Sequence, residues 1–196
     1  MADLREHWDA RYREADAAAA SPTEVLLRHR HLLPRAGEAL EIACGLGANA
    51  RLLARHGLCT EAWDVSAQAI DKLAALAAHE GLPLVARVRD VLKAPPAPGT
   101  FDVIVVTRFL DRALFPSLIA ALRPGGLVFY QTFTREAVSD AGPGNPDFRL
   151  KPNELLRAFA PLRLLAYREE GRVGDTSAGW RDEAMLVAMK PPSTQE

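Results

Sequence analysis

The chain has few cysteines, no long apolar run and almost no net charge, and each scarcity excludes a class of protein. Its two cysteines, Cys44 and Cys59, cannot form a disulfide framework, and no cysteine and histidine cluster has the spacing of a zinc site. The net charge is −1 and the arginines are spread along the chain, which disfavours a nucleic-acid groove. The apolar runs are far too short to cross a membrane.

The rest of the composition is typical of one globular protein. The 196 residues, 48% of them hydrophobic, fit a single domain over 1–196. Residues 1–20 contain scattered acids and no signal-peptide core, which predicts a cytoplasmic location. We expect a helical cap over 1–36, a core over 37–133, and a loop with a terminal hairpin over 134–196. The sequence does not indicate an oligomeric state.

The most informative stretch is Ala-Leu-Glu-Ile-Ala-Cys-Gly-Leu-Gly-Ala-Asn-Ala at 39–50. It begins as the apolar run of a buried parallel strand, and from Ala48 to His56 apolar residues recur at helical spacing until Gly57. Gly45 and Gly47 therefore stand in the turn between a strand and a helix. Without side chains there, a ligand can approach the backbone N–H groups, so the stretch predicts a nucleotide-type site.

The glycine spacing alone also fits the dinucleotide fingerprint, so nearby acids decide between ligands. Glu41, near the end of the first strand, is placed to receive an ammonium group or to hydrogen-bond the turn, and it offers nothing to a pyrophosphate. Asp64 ends the next strand, which in a βαβ unit places its carboxylate beside ribose hydroxyls. The alternative for Asp64 is an ordinary loop aspartate.

The following residues repeat this pattern and predict a doubly wound parallel sheet. Ser66 is placed to cap the second helix, which ends at Gly81. Three more strands are predicted, at 84–89, 101–107 and 127–133. A tight Arg-Pro-Gly-Gly turn at 123–126 precedes the last of them. Asp90 and Arg108 follow the third and fourth strands, at the carboxyl ends where ligands bind in such sheets.

The amino-terminal segment is predicted to form a helical cap. Ser-Pro-Thr-Glu at 21–24 has the form of a capping box, which predicts a helix from 22 to 33 that Pro34 ends. Trp8 and Tyr12 either anchor this segment on the core or lie over a ligand, and both interpretations stay open.

The carboxyl-terminal part is predicted to add two strands, at 162–167 and 184–189. Before them, residues 135–149 contain too many turn formers for a helix. A loop of this length at a sheet edge is either a lid over the substrate or a solvated surface loop.

Five short motifs, taken in order, resemble those of class I S-adenosylmethionine-dependent methyltransferases. They are Leu40–Gly47, Asp64–Ser66, Asp90, Phe101–Ile104 and Leu122–Gly126. Residues 8–12, Trp-Asp-Ala-Arg-Tyr, are similar to the lead-in of the small tellurite-resistance-like branch. The resemblance implies a Rossmann-like α/β fold with a mostly parallel seven-stranded sheet, a C-terminal antiparallel hairpin and helices on both faces. It also implies S-adenosyl-L-methionine as the cofactor.

The resemblance assigns roles to individual residues. Asp64 is expected to accept both ribose hydroxyls, Asp90 to receive the adenine amino group, and Val91 to meet the ring through its backbone N–H. The other expected cofactor contacts are Arg11, Tyr12, Glu41, Ala43, Cys44, Gly45, Gly47, Asn49, Val65, Thr107 and Arg108. Arg108 and Phe109, just past the fourth strand, are predicted to act catalytically where the methyl group is presented, and no metal is predicted.

The residues after the fourth strand narrow the acceptor. They lack the Asn/Asp-Pro-Pro-aromatic signature of enzymes that methylate amino groups of nucleic-acid bases. The five histidines lie elsewhere, so none is assigned as a general base. Arg108, Arg112 and Arg149 are predicted to converge on a small anionic acceptor, a chalcogen oxyanion or thiol first and a small amine or carboxylate second. Surface pairing of these arginines with Asp111 and Asp147 is the alternative.

Three other functions stay open. A nicotinamide-dependent oxidoreductase would use the glycine turn and Asp64, but it would leave Glu41 and Asp90 unexplained. A methyltransferase acting on RNA or protein would share the fold and differ only in its acceptor. A module that binds the cofactor without turnover also stays open, because a fold does not settle a function.

Overall fold

The structure, a computed structural model, describes residues 2–192 and the side chains of residues 5–192. Its strands are β1 Glu38–Ile42, β2 Cys59–Asp64, β3 Leu84–Val88, β4 Phe101–Thr107, β5 Leu122–Phe133, β6 Arg163–Arg168 and β7 Glu183–Met189. Its α-helices are α1 Ala2–Arg13, α2 Glu24–His29, α3 Ala48–His56, α4 Ala67–His79, α5 Phe115–Ala121 and α6 Glu154–Ala158. Single 3₁₀ turns cover Arg30–Leu32, Arg112–Leu114 and Pro146–Phe148.

All seven strands form one sheet in the order β3-β2-β1-β4-β5-β7-β6. The strands from β3 to β5 are parallel, and β7 runs antiparallel to both β5 and β6. The predicted fold class is therefore confirmed, including its terminal hairpin. The strand order reverses between β1 and β4, and a crevice outside their carboxyl ends is where such sheets bind ligands. No helix within the described residues is long and apolar enough to cross a bilayer.

Helices cover both faces of the sheet, and the sequence of β4 shows why. Val103 and Val105 belong to the core under α2 and α3, whereas Ile104 and Val106 belong to the core under α5 and α6. A strand buried on both faces needs an apolar side chain at nearly every position, so β4 has no alternation of apolar and polar residues.

The cap helix differs from its prediction. Instead of one helix over 22–33, α2 covers Glu24–His29 and a 3₁₀ turn follows it. The capping box does not form, because Thr23 is the N-cap residue and its side chain makes no cap hydrogen bond. The N–H and hydroxyl of Thr23 instead donate to Asn49 Oδ1 on α3, over 2.8 and 3.0 Å. A distant amide has replaced the local cap that the sequence pattern predicts.

The strand β5 begins at Leu122, five residues earlier than predicted. The Arg-Pro-Gly-Gly segment at 123–126 lies inside it, where the register with β4 shifts between Phe101 and Val103. Gly125 has a φ of +81°, a backbone conformation that favours glycine. The predicted tight turn is therefore an irregularity in the strand.

The loop over 135–149 contains one 3₁₀ turn and no α-helix, as predicted. Two polar side chains fasten it. The carboxylate of Asp182 accepts the backbone N–H groups of Val138 and Ser139, and the guanidinium of Arg149 donates to backbone carbonyls just before the loop and in its middle. The loop is thus held against the end of the sheet, and its role as a lid stays a prediction.

Candidate active site

The carboxylate of Asp64 organises the glycine turn. Its Oδ2 accepts the N–H of Gly45 over 2.8 Å, and its Oδ1 accepts the N–H of Ser66 over 2.9 Å. Burial raises the pKa of Asp64, and these N–H donors offset part of the rise. The interpretation as an ordinary loop aspartate is wrong, because Asp64 is buried at the end of β2. Each carboxylate oxygen keeps a second lone pair, so a ligand hydroxyl can still donate to it.

Tyr12 on α1 lies directly over the same turn. A Cβ atom built on Gly45 would stand 2.7 Å from the Tyr12 hydroxyl oxygen, and Gly45 has a φ of +52°. Burial, followed by the nearby charge of Asp64, raises the pKa of Tyr12 to about 12. Tyr12, Gly45 and Asp64 therefore meet at one place, although Tyr12 is far from the other two in the chain.

The neighbours of Tyr12 on α1 form a small aromatic group. The rings of Trp8 and Tyr12 stack with centroids 5.9 Å apart, and the guanidinium carbon of Arg11 lies 5.5 Å from the Trp8 ring. Trp8 thus supports the position of Tyr12. Arg11 is exposed, and its contact with the cofactor stays a prediction.

Three side chains that the sequence interpretation missed fasten the cap to the core. Asp9 accepts the hydroxyl of Ser66 over 2.6 Å, while that hydroxyl caps α4 as predicted. Lys72 donates to carbonyl groups at the end of α1, and the buried Arg51 donates to the carbonyl of Ala17 over 2.8 Å. An arginine on the inner face of α3 was the available signal for Arg51, because a buried guanidinium needs partners.

Gly47 is constrained by its backbone and by the core beneath it. Its φ is +68°, and a Cβ atom there would lie 2.3 Å from a methyl carbon of the buried Leu73. This left-handed backbone agrees with the prediction that a side chain at Gly47 would strike the ligand or force an unfavourable backbone angle. A side chain would also strike the protein core, and contact of Gly47 with the ligand stays a prediction. The rest of the turn is equally constrained: Ala43 has a φ of +51°, and the buried Cys44 donates its N–H to the Trp63 carbonyl.

Glu41 holds the start of α3 in place. Its two carboxylate oxygens accept from the Asn49 side chain over 2.7 Å and from the Ala50 N–H over 2.8 Å. Burial raises the pKa of Glu41 to about 7, although both hydrogen bonds act in the opposite direction. Asn49 also lies 3.2 Å from the hydroxyl of Thr107 at the end of β4. Glu41 thus agrees with the second of its two predicted roles, since it hydrogen-bonds the end of the glycine turn.

The predicted adenine contacts lie together after β3. Asp90 accepts the N–H of Leu92 over 3.1 Å and stands 3.6 Å from the ammonium of Lys93. Val91 is buried against the same core as Trp63, and Val65 is half-buried beside Asp64. These positions agree with an adenine site, and the contacts themselves stay predictions.

Arg108 has an unusual backbone at the end of β4. Its φ is +53°, which is uncommon for a residue with a side chain, and its N–H donates to the Gln131 carbonyl over 2.8 Å. Its Nε lies 3.3 Å from Glu183 Oε1, and the side chain is 64% exposed. Among residues 5–192, no partner contacts its two terminal nitrogens.

The predicted convergence of three arginines is wrong for two of them. All three nitrogens of Arg112 are engaged by Glu154 and by backbone carbonyls, and all three nitrogens of Arg149 donate to carbonyls. The alternative prediction, in which these arginines pair with acidic residues, is correct for Arg112 in that it binds a carboxylate. Its partner is Glu154 and not Asp111. Phe109 packs on the core, and its carbonyl accepts the hydroxyl of Tyr130 over 2.9 Å.

Two residues of this edge were missed from sequence, Gln131 on β5 and Glu183 on β7. Gln131 accepts the N–H of Val25 over 2.7 Å and donates to Glu183 over 2.5 Å, and Glu183 pairs with Arg108. The available signal was their polarity, because Gln131 interrupts the apolar run of β5 and Glu183 directly precedes the apolar run of β7.

Seven strands in this order, with a glycine turn after β1 and an acid at the end of β2, define a class I methyltransferase sheet. The family described as "Methyltransferase domain" matches residues 39–126. A ubiquinone biosynthesis O-methyltransferase of Methylocella silvestris is 35% identical over 182 residues, covering 81% of this chain and 71% of that protein. The chain therefore belongs to the S-adenosylmethionine-dependent methyltransferases, and S-adenosylmethionine is its cofactor.

Solved structures show the same fold. TehB from Haemophilus influenzae is similar with a TM-score of 0.70 at 20% identity, covering 95% of this chain and 66% of that one. A structure described as "Conversion of a Disulfide Bond into a Thioacetal Group during Echinomycin Biosynthesis" also has a TM-score of 0.70, at 23% identity, covering 98% and 94%. These identities are low, so the likeness concerns the fold alone.

Proposed function

We propose that the protein transfers the methyl group of S-adenosylmethionine to an oxygen or chalcogen atom of a small-molecule acceptor bound beside Arg108. The observation that carries the acceptor side is the guanidinium fork of Arg108 after β4, whose two terminal nitrogens have no hydrogen-bond partner among residues 5–192. Paired N–H groups of a guanidinium bind the oxygens of an oxyanion, phenolate or carboxylate in a defined geometry. The preferred acceptor therefore carries negative charge next to its nucleophilic atom.

The residues at the strand ends fit the cofactor. The missing side chain at Gly45 lets the Tyr12 hydroxyl lie directly on the turn, and Asp64 retains lone pairs for two hydroxyl donors. We assign the ribose to Asp64, the adenine to Asp90 and its neighbour Val91, and the methionine end to the turn under Tyr12. When bound, the cofactor supplies a methyl group activated by a sulfonium sulfur.

The chain's own contribution is orientation and exclusion of water. Methyl transfer is an in-line displacement, and holding two reactants in line is worth roughly 7–11 kcal/mol in favourable cases. The cap provides the cover, since Asp9 and Lys72 fasten α1 with Tyr12 over the turn. Arg108 then orients the acceptor from the other side of the crevice.

Two independent similarities support the choice of nucleophile. The relative at 35% identity is named an O-methyltransferase, which supports an oxygen nucleophile. The likeness of residues 8–12 to the tellurite-resistance-like branch supports a chalcogen oxyanion or a thiol. Both kinds of acceptor present an anionic or readily ionised atom to Arg108.

The test is a methyl-transfer screen read by mass spectrometry. The panel contains a catechol, an aromatic thiol, tellurite, a small amine, transfer RNA and a mixture of peptides. We expect transfer to at least one of the first three. Transfer only to RNA or peptide would contradict the small-molecule acceptor, and cofactor binding without any transfer would favour a module without turnover.

Arg108→Ala tests the acceptor side. We expect the KM of the acceptor to rise roughly 10- to 100-fold, the loss for one charge-assisted bond of about 1.5–3 kcal/mol, with unchanged cofactor affinity. The matched control is Arg55→Ala, since Arg55 is 56% exposed, pairs with Glu80 and lies in the last turn of α3, far from the crevice. An unchanged acceptor KM in Arg108→Ala would remove Arg108 from the site.

A further inference from the structure

Three polar side chains form a chain of contacts beneath the proposed acceptor position. Gln131 Nε2 donates to Glu183 Oε2 over 2.5 Å, and Glu183 Oε1 lies 3.3 Å from Arg108 Nε. They come from β5, β7 and the end of β4, and 75 residues separate Arg108 from Glu183. Burial increases inward along the chain: Arg108 is 64% exposed, the Glu183 side chain 10%, and Gln131 2%.

The orientation of the Gln131 amide is fixed by the cap. Its oxygen accepts the backbone N–H of Val25 in the first turn of α2, over 2.7 Å. Its NH₂ group must therefore face Glu183, which can only accept. Glu183 in turn holds one particular nitrogen of Arg108, the Nε, and leaves the two terminal nitrogens without a partner among residues 5–192.

We propose that Glu183 is a positioning residue for acceptor binding, and that it does so by holding Arg108 through Nε with its terminal fork free. This inference rests on the proposed function, in which Arg108 contacts the acceptor. A free arginine side chain loses much rotamer freedom when it binds, whereas one already held by its Nε loses less. The left-handed backbone of Arg108, anchored on the Gln131 carbonyl, fixes the same side chain from its other end.

Glu183→Gln separates this role from a merely structural one. Glu183 accepts from Arg108 with Oε1 and from Gln131 with Oε2. In the new amide an NH₂ group replaces one of these oxygens and faces a donor, so in this geometry either Gln131 or Arg108 loses its acceptor. Gln131 cannot compensate by flipping, because its oxygen is already used by Val25. We expect Arg108 to be released, since it is the more exposed donor.

A double exchange restores every hydrogen bond. In Gln131→Glu combined with Glu183→Gln, the carboxylate at 131 accepts from Val25 and from the amide at 183. The oxygen of that amide then accepts from Arg108 Nε. The negative charge moves from position 183 to position 131, while the hydrogen bond to Arg108 Nε is kept. If Glu183 only positions Arg108, the double variant should work like wild type. If the reaction needs a carboxylate at 183, for example to abstract a proton, the double variant should fail.

The main readout is the steady-state KM of whichever panel acceptor is methylated fastest. We expect Glu183→Gln to raise this KM about tenfold with little change in kcat, the cost of ordering one long side chain at each binding event. The double exchange should return the KM to within about threefold of wild type. Cofactor affinity, measured with S-adenosylhomocysteine, should be the same in all three proteins.

A second readout needs no acceptor. The Nε–H resonance of Arg108, identified by its loss in Arg108→Ala, should exchange slowly with water in wild type, quickly in Glu183→Gln and slowly again in the double exchange. Asp102→Asn is the matched control, because Asp102 also joins an arginine and a backbone N–H, at the opposite end of the sheet. It should lower the melting temperature and leave both readouts unchanged.

The outcomes separate the inference from the proposed function. If Arg108→Ala leaves the acceptor KM unchanged, the proposed function has failed at its acceptor side. If Arg108→Ala raises the KM and Glu183→Gln does not, only the positioning role is overturned. A folded double exchange that keeps slow Nε–H exchange but not the wild-type KM would also overturn it, and would indicate that the carboxylate itself is required.

Discussion

The two halves of the ligand edge are built in different ways. In the cofactor half, the partners are close in the sequence: Gly45 and Asp64 are 19 residues apart, and Glu41 and Asn49 are 8 apart. In the acceptor half, Arg108 and Glu183 are separated by 75 residues and Val25 and Gln131 by 106. The proposed ribose and methionine contacts thus come from one βαβ unit, whereas the proposed acceptor contacts come from distant strands.

The bonding groups differ as well. The cofactor half mainly joins carboxylates to backbone N–H groups, whose positions follow from the strand-turn-helix geometry. The acceptor half joins side chain to side chain, through Gln131 and Glu183. Substitutions should therefore affect folding and cofactor binding in the first half, and mainly the acceptor KM in the second.

The largest expected effect is on folding stability. It tests whether packing against the protein core, and not the ligand, requires glycine at position 47. We expect Gly47→Ala to lower the free energy of unfolding by roughly 2–5 kcal/mol, the sum of left-handed strain and overpacking. The overpacking arises because the new Cβ would stand 2.3 Å from Leu73. Urea unfolding without ligand measures it.

Gly81→Ala is the matched control for Gly47→Ala. Gly81 has a nearly equal φ of +63°, but nothing lies within 4 Å of its hypothetical Cβ. We expect a loss of about 1–2 kcal/mol there, from strain alone. An equal loss of unfolding free energy in the two variants would show that contact with Leu73 is unimportant. Contact with the ligand would then be the remaining reason for glycine at position 47.

The next effect concerns cofactor affinity. Asp64→Ala should weaken S-adenosylhomocysteine binding on the order of a hundredfold in calorimetry, because two charge-assisted hydrogen bonds of roughly 1.5 kcal/mol each are lost. The variant should also melt at a lower temperature, since the N–H groups of Gly45 and Ser66 lose their acceptor. Asp102→Ala should lower the melting temperature and keep the affinity. Unchanged affinity in a folded Asp64→Ala would place the ribose elsewhere.

The smallest effect is a pH dependence of stability in the cofactor half. Burial raises the pKa of Glu41 from 4.5 to about 7. Between these values the folded protein binds more protons than the unfolded chain, so this group's contribution to stability is greatest below pH 4.5 and falls as the pH rises to 7. The unfolding free energy of wild type, relative to Glu41→Gln, should fall by on the order of 2 kcal/mol from pH 5 to 8. A pH-independent difference would contradict the raised pKa.

The cap shows why some sequence predictions failed. Ser21 to Glu24 satisfies the capping-box pattern, but Thr23 donates to Asn49 and Val25 donates to Gln131. Local capping competes with any acceptor that the fold brings near the helix start, and two buried amides were closer. The predicted convergence of the arginines failed for a related reason. Arg112 and Arg149 donate to backbone carbonyls that the fold brings near them, and residue spacing does not indicate such contacts.

The sequence by itself determined the strand-turn-helix units, their parallel arrangement and the positions of Gly45 and Asp64 at the ligand edge. It could do so because apolar runs, glycines and helix caps act over a few residues and leave periodic patterns. Only the tertiary structure decided that Leu73 is the reason for Gly47, that Tyr12 lies over Gly45, and that Glu183 holds Arg108. Those contacts depend on how β7 pairs with β5 and how α1 lies on α4, and side chains brought together by such packing leave no pattern along the chain.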